Sequence, residues 1–219
     1  MANKKVEDGK LQNTTGTELD ILKGIEAAFY KNNKSSRKRN TERSLKWFSQ
    51  YIPKAHNRVR MAQLMRDRDM WADTIRPGTM MLFNYDAKHK ATLPVWDRFP
   101  LVFAWDIWKG GDGQYGESGA TYFIGINLHY LPPALRFAAM KMLLSKRNEK
   151  RYKETTRLKI SWSILKGLAN SKLFEHSVKI YRMDHVRSKF IIIPAQSWEM
   201  VTFLPLARFE GKKADAWRM

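Results

Sequence analysis

Residues 124–136 read IGINLHYLPPALR, and the fold turns on how this stretch divides. Ile124, Ile126 and Leu128 alternate with Gly125, Asn127 and His129, which at strand period sets one apolar and one polar face. Pro132-Pro133 follows, and proline ends a strand and suits the first turn of a helix. Beyond it Leu135, Ala138, Ala139, Met142 and Leu143 recur at helical spacing. The stretch therefore reads as a strand-to-helix joint. Gly125 permits close backbone approach within the strand. His129 reads as a hydrogen-bonded structural residue, not a catalyst or metal ligand.

Outward from the joint, TMMLFNY (79–85), PLVFAWDIW (100–108) and TYFIGINL (121–128) are β-rich runs separated by turn-forming segments. The gaps are too short for helical crossovers, so these strands are expected to pair antiparallel. A basic stretch, SKRNEKRYKETTRLK (145–159), leads into a helix around 158–169, and VKIY (178–181), KFIIIP (189–194) and WEMVTFLP (198–205) read as further strands. Upstream of Pro77-Gly78 the chain is helical in pattern: a polar arm over 1–16, a helix from Thr17 to about Tyr30, a basic linker KNNKSSRKRN (31–40), a short helix around Trp47, Phe48 and Tyr51, and a third from Lys54 to about Trp71. The expected fold is α+β, with a small antiparallel β-barrel of SH3-like type near 77–130 and helices packed around it; a small sandwich is the alternative. The expected divisions are 1–76, basic arm and helices; 77–210, β-rich core with inserted helices; and 211–219, polar tail.

The 219 residues carry 40 Lys+Arg against 21 Asp+Glu, a formal charge of +19. Such an excess repels itself unless a polyanion neutralises it, and nucleic acid is the commonest. A membrane is disfavoured, because no apolar run approaches the roughly 20 residues of a spanning helix. The N-terminal MANKKVEDGK lacks the apolar region of a signal peptide. With no cysteine, thiolate metal sites and cysteine nucleophiles are excluded.

The motifs that suggest catalysis are short. GDGQYG (111–116) matches the dinucleotide fingerprint by letter but links two strands rather than a strand and a helix, so it reads as a glycine-rich loop. Asp86-Ala87-Lys88 ends a strand as the D-x-K of metal-dependent nucleases does, and would need Asp73 or Asp97 as a second carboxylate. The five histidines show no metal-binding spacing, and no G-x-S-x-G occurs. No enzyme activity, cofactor or metal is expected.

The basic clusters carry the functional expectation. Arg37, Lys38, Arg39 and Arg43 lie in and after the linker; Arg58, Arg60, Arg66 and Arg68 on the third helix; Lys146, Arg147, Lys150 and Arg151 in the second basic block; Arg187 just before a late strand and Lys189 at its start. Guanidinium and ammonium groups bind phosphate without reading sequence. With six to ten phosphate contacts, affinity should fall roughly 10³–10⁵-fold between 50 and 200 mM salt. Trp108, beside the glycine loop, is a candidate for stacking on a base, against the alternative of a core position.

PGTMMLFNYDAK (77–88), LPVWDRFPLVF (93–103), GINLHYLPPALR (125–136), HVRSKFIIIP (185–194) and WEMVTFLP (198–205) resemble, in matching order, the DNA end protector family of head-completion proteins in T-even-like contractile-tailed bacteriophages. The chain departs from that pattern in the long loop KGGDGQYGESGA (109–120), and its basic N-terminal third lies outside the resemblance. The resemblance implies a non-enzymatic virion protein of the head or neck, made in the host cytoplasm. It would bind the ends of packaged double-stranded DNA without sequence specificity, protect them from host exonuclease, and contact other virion proteins, with an oligomer possible. The alternatives are a structural neck, tail or baseplate component and a metal-dependent nuclease built on Asp86 and Lys88.

Overall fold

A computed structural model describes residues 26–34, 68–111, 113–147, 172–193, 197–204 and 206–217, with Gln50, Arg66 and Gly167 singly. The expected arm 1–16, the helix around 47–51, most of the helices at 54–71 and 158–169, and most of the linker lie outside them.

The main body is one antiparallel sheet. Its strands are β1 (Trp71–Ala72), β2 (Met80–Leu82), β4 (Leu101–Lys109), β5 (Thr121–Asn127), β6 (Val178–Arg182) and β7 (Phe190–Ile193), in the spatial order β1-β7-β2-β4-β5-β6. The two remaining strands, β3 (Val95–Asp97) and β8 (Phe209–Gly211), pair with each other. The expected antiparallel pairing is present throughout. The six-stranded order is linear, with β1 and β6 at its edges, and no closed barrel forms among the described residues.

Both faces of the central strands are covered, which explains their continuous apolar runs. Met80 and Leu82 point into a larger core with Phe103, Ile126, Phe137, Trp198 and Phe203. Met81 and Phe83 point the other way, into an aromatic cluster with Phe123, Tyr181 and Phe190. Gly125 sits opposite Ala104 where β5 pairs with β4. A Cβ there would lie 2.5 Å from Val102 Cγ1 and 2.6 Å from the Phe103 carbonyl oxygen, so the close approach read from the sequence is real.

The helical part is small. Segment 26–32, here α1, extends two residues past the expected end at Tyr30. It packs Phe29 on Phe137 of α2 (Pro133–Arg147) at 5.5 Å between ring centroids, and Glu26 pairs with Lys141. Two four-residue helices follow, α3 (Lys172–Glu175) and α4 (Trp198–Val201). No helix among the described residues is long and apolar enough to cross a membrane.

Four expectations are corrected. WEMVTFLP contains α4 instead of a strand: Trp198, Val201 and Thr202 are buried at helical spacing, and Trp198 donates its indole N–H to the Ile193 carbonyl at 2.9 Å and meets Phe103 edge-on. These tertiary contacts outweigh the β-propensity of Trp, Val, Thr and Phe. The expected helix end at Trp71 is replaced by a 3-10 turn, Arg68–Met70, and Trp71 begins β1 against β7. The buried face of α2 is rotated: Arg136, Phe137, Ala139 and Met140 are buried while Ala138 and Met142 are exposed. At the joint, strand alternation stops at Asn127, and Leu128–Tyr130 is a 3-10 turn with all three side chains buried.

Candidate nucleic-acid interface

The joint explains why its polar residues are there. Asp97 of β3 accepts four hydrogen bonds: from His129 Nδ1 at 2.6 Å, from Asn127 Nδ2 at 3.1 Å, and from the backbone N–H groups of Phe99 and Arg208, each at 3.1 Å. Asn127 Nδ2 also donates to the Tyr181 hydroxyl, and Asn127 Oδ1 accepts from the His129 backbone N–H. Arg136 spreads its guanidinium over the carbonyls of Leu131, His129 and Thr202, at 2.7, 3.0 and 3.1 Å. Trp217 donates to the same His129 carbonyl at 2.9 Å, which ties the C-terminal segment to the joint.

His129 and Asp97 are sealed, at 0% and 3% exposure. Burial pulls the His129 imidazole below its ordinary value, against the raising effect of the Asp97 carboxylate. Burial alone would raise Asp97, but the contacts with His129 and Asn127 and the Arg208 amide hold it below the usual carboxylate range. The pair is a carboxylate facing a neutral imidazole that donates from Nδ1, and His129 Nε2 has no partner among the described residues. A proton there would be a buried donor without an acceptor, the physical reason the ring stays neutral. Burial also pulls Arg136 down, to about 10, which leaves it charged at neutral pH.

Above the joint lies a cavity of about 500 Å³ whose floor includes Asp97, Tyr130 and Tyr181. Its walls are mainly aromatic, from Tyr85, Tyr115 and Tyr122, and Lys179 lies 4.3 Å from the Tyr130 ring centroid. At its rim Glu117 pairs with both Lys88 and Arg182, and Arg182 is held in turn by Asp184 at 2.7 Å. The glycine-rich loop shapes one side. At Gly116, with φ of 110°, a Cβ would fall 2.2 Å from the Tyr122 ring, so only glycine lets the loop lie against it. That placement leaves Tyr115 at the mouth, 67% exposed.

A second, more polar cavity of about 760 Å³ shares Tyr85 and Trp96 with the first and is lined by Asp86, Lys90, Arg98, Arg187 and Glu210. The two form a continuous face, aromatic on one side of Tyr85 and Trp96 and rich in cations on the other.

Of the sequence-read contact residues, Arg66, Arg68, Arg187 and Lys189 are exposed. Pairing of β1 with β7 sets Lys189 across from Asp73, its partner at 3.0 Å, while Arg68 lies at the opposite end of β1. Arg187 lies on the cationic cavity, 3.8 Å from Asp86. Lys146 and Arg147 end α2. Arg37, Lys38, Arg39, Arg43, Arg58, Arg60, Lys150 and Arg151 lie outside the described residues.

The D-x-K constellation is pulled apart. Asp86 turns toward Lys90, at 2.8 Å, and Arg187, whereas Lys88 turns to Glu117 and Asp97 is sealed against His129. No group of three or more His, Cys, Asp or Glu side chains among the described residues is placed to hold a metal ion. Trp108 is half-buried and stacked on Tyr122 with its N–H on the Tyr115 carbonyl, so it supports the loop while Tyr115 is the exposed ring. The tyrosines of the cavity were missed because Tyr85 and Tyr181 lie far in sequence from Tyr115, Tyr122 and Tyr130. A signal was nonetheless present in Tyr115, an aromatic inside a glycine-rich polar loop.

Among known proteins, the sequence model of the Phage T4 terminal DNA protecting protein family matches residues 2–217. Searches of curated proteins and of solved structures returned no significant match. The match takes in the basic N-terminal third and the long glycine loop as well as the β-rich core, and on that ground the chain belongs to the Phage T4 terminal DNA protecting protein family.

Proposed function

We propose that the protein binds the ends of packaged, linear double-stranded DNA through their phosphates, without reading sequence, and shields them from exonuclease. Membership of nearly the whole chain in a family of terminal DNA protecting proteins carries this reading, and the charge of +19 supplies the affinity. The role is non-catalytic. Basic side chains neutralise terminal phosphates while the folded body occupies the space a nuclease needs.

On this reading residues 1–76 form a basic arm that adds phosphate contacts to the β-rich core at 77–210, with 211–219 as a tail. Arg66, Arg68, Arg187 and Lys189 take part from the described surface, together with the clusters at 37–43, 58–60 and 146–151. The protein works in the virion, at the head or neck beside other virion proteins, after synthesis in the host cytoplasm. Family membership favours this reading over a purely structural neck, tail or baseplate part and over a nuclease.

The test adds purified protein to linear and covalently closed DNA with a processive exonuclease. Linear DNA should survive in proportion to bound protein, and protection should fade steeply as salt rises. Degradation of linear DNA at the same rate with and without protein would sink the reading.

A further inference from the structure

We propose that the tyrosine-lined cavity holds the unpaired terminal nucleotide of a DNA strand, its base among Tyr85, Tyr115 and Tyr122 and its phosphate at the Lys88–Glu117–Arg182 rim. This rests on the DNA-end reading above and names the part of DNA that the site takes.

Size and chemistry both select such a ligand. A volume of about 500 Å³ falls in the range of sites that enclose small molecules. Aromatic walls offer stacking to any base, a sequence-tolerant interaction that contributes about 1–3 kcal/mol per base. The cations exclude a neutral aromatic ligand as the best fit: Lys88, Lys179 and Arg182 all line the cavity. Burial pulls the Lys179 ammonium below its ordinary value, a strain that an incoming anion relieves.

Glu117 occupies the place of that anion. It is paired with both Lys88 and Arg182, so a terminal phosphate can replace its carboxylate and keep the same two cations. Its backbone N–H is held by the Tyr122 hydroxyl at 2.9 Å, so the carboxylate can leave while the loop stays docked.

A terminus is favoured over an internal base because extrusion from a duplex interior breaks stacking on both sides, whereas a terminal pair has one neighbour. The adjoining cavity continues the path. Across the wall formed by Tyr85 and Trp96, Lys90, Arg98 and Arg187 offer cations to the next phosphates along the strand, which a free nucleotide would leave unused.

The experiment measures binding of the full chain to three DNAs of one sequence: a blunt duplex, the same duplex with a mismatched terminal pair, and a dumbbell closed at both ends. The wild type should bind the frayed duplex about tenfold more tightly than the paired one, because unpairing is already done. Ile180, 43% exposed on edge strand β6, lines the cavity, and Ile180→Trp should fill it and remove the preference while leaving dumbbell affinity unchanged. Tyr115→Ala, on an exposed loop outside the core, should reduce the preference about fivefold or more and decides the matter if Ile180→Trp does not fold. Equal wild-type affinity for frayed and paired ends, or a preference that survives in a folded Ile180→Trp protein and in Tyr115→Ala, would overturn the proposal. Exonuclease protection without a frayed-end preference would remove the cavity proposal and leave end protection standing; preference without protection would do the reverse.

Discussion

The polar joint beneath β3 and β5 and the cavity above it share Asp97, Tyr130 and Tyr181, yet they use polar groups in opposite ways. Below the floor, Asp97, Asn127 and Arg136 spend nearly all their hydrogen-bonding capacity on one another and on backbone. Above it, Lys88, Lys179 and Arg182 border open volume, and the one carboxylate that neutralises two of them sits on a surface loop. Internally closed polar groups specify structure, whereas outward-facing ones are available to a ligand. Substitutions should therefore separate stability from DNA binding according to which side of the floor they fall.

The largest expected effect is at the joint. Asp97→Ala strands His129 Nδ1, one of the two Asn127 Nδ2 protons and two backbone N–H groups in a sealed space, while the other Asn127 proton keeps the Tyr181 hydroxyl. Each buried donor left without an acceptor costs about 1–3 kcal/mol, so the denaturation midpoint should fall steeply. If the folded fraction still binds DNA normally, the division between the two regions holds; if binding is lost while stability is kept, the division breaks.

Gly125→Ala comes next, within the β4–β5 pairing. Its new Cβ meets Val102 Cγ1 and the Phe103 carbonyl oxygen inside 3 Å, and overpacking of this kind costs about 1–3 kcal/mol. Thermal or urea denaturation should show the loss. Since β5 runs beside β6, which carries Lys179 and Ile180, a change in DNA affinity beyond that due to unfolding would show the cavity to be sensitive to strand spacing.

Much of this arrangement was legible in the sequence. The alternation around Gly125 and the proline pair identified a strand that hands over to a helix, because both signals are local. The hydrogen-bonded, structural part of the His129 reading is present, with the ring held by Asp97 in a sealed space. The role of Arg136 was not read, because helical periodicity gives an arginine no buried position and only the fold brings three carbonyls to its guanidinium. β3 and β8 were missed because each is three residues long and is stabilised by the other, more than a hundred residues away. The cavity has the same origin: Tyr85, Tyr115, Tyr130 and Tyr181 acquire a common purpose only when the sheet forms.

Acid should reveal the joint before the cavity. Because the folded His129 pKa lies below its ordinary 6.5, the unfolded chain takes the proton first. Stability is therefore complete above that value and is lost as pH falls through it, by up to about 1.4 kcal/mol per pH unit. Asp97, also lowered when folded, contributes stability that is present above its ordinary 3.8 and is lost at still lower pH. His176 is lowered as well, by burial and by Lys179, and adds to the first window. The unfolding midpoint should drop between pH 7 and 5, and His129→Gln should flatten that slope. An unchanged slope would mean that the sealed imidazole does not control it.

The smallest structural effect is expected on the outer face, where the comparison is sharpest. Lys189 is exposed and paired with Asp73, and pairs of this kind add little to stability. Lys189→Ala should leave the denaturation midpoint unchanged, weaken binding to all DNA sequences equally, and lower the salt slope by about 1, the signature of one lost phosphate contact. Asp73→Ala should act in the opposite sense, because it frees the ammonium from its carboxylate and lets phosphate take the place without competition. The two variants together distinguish a cation that binds DNA from one that only holds the β1 edge to β7. In the first case their affinities move apart on either side of the wild type at constant stability, and in the second both lose stability while their affinities for DNA stay together.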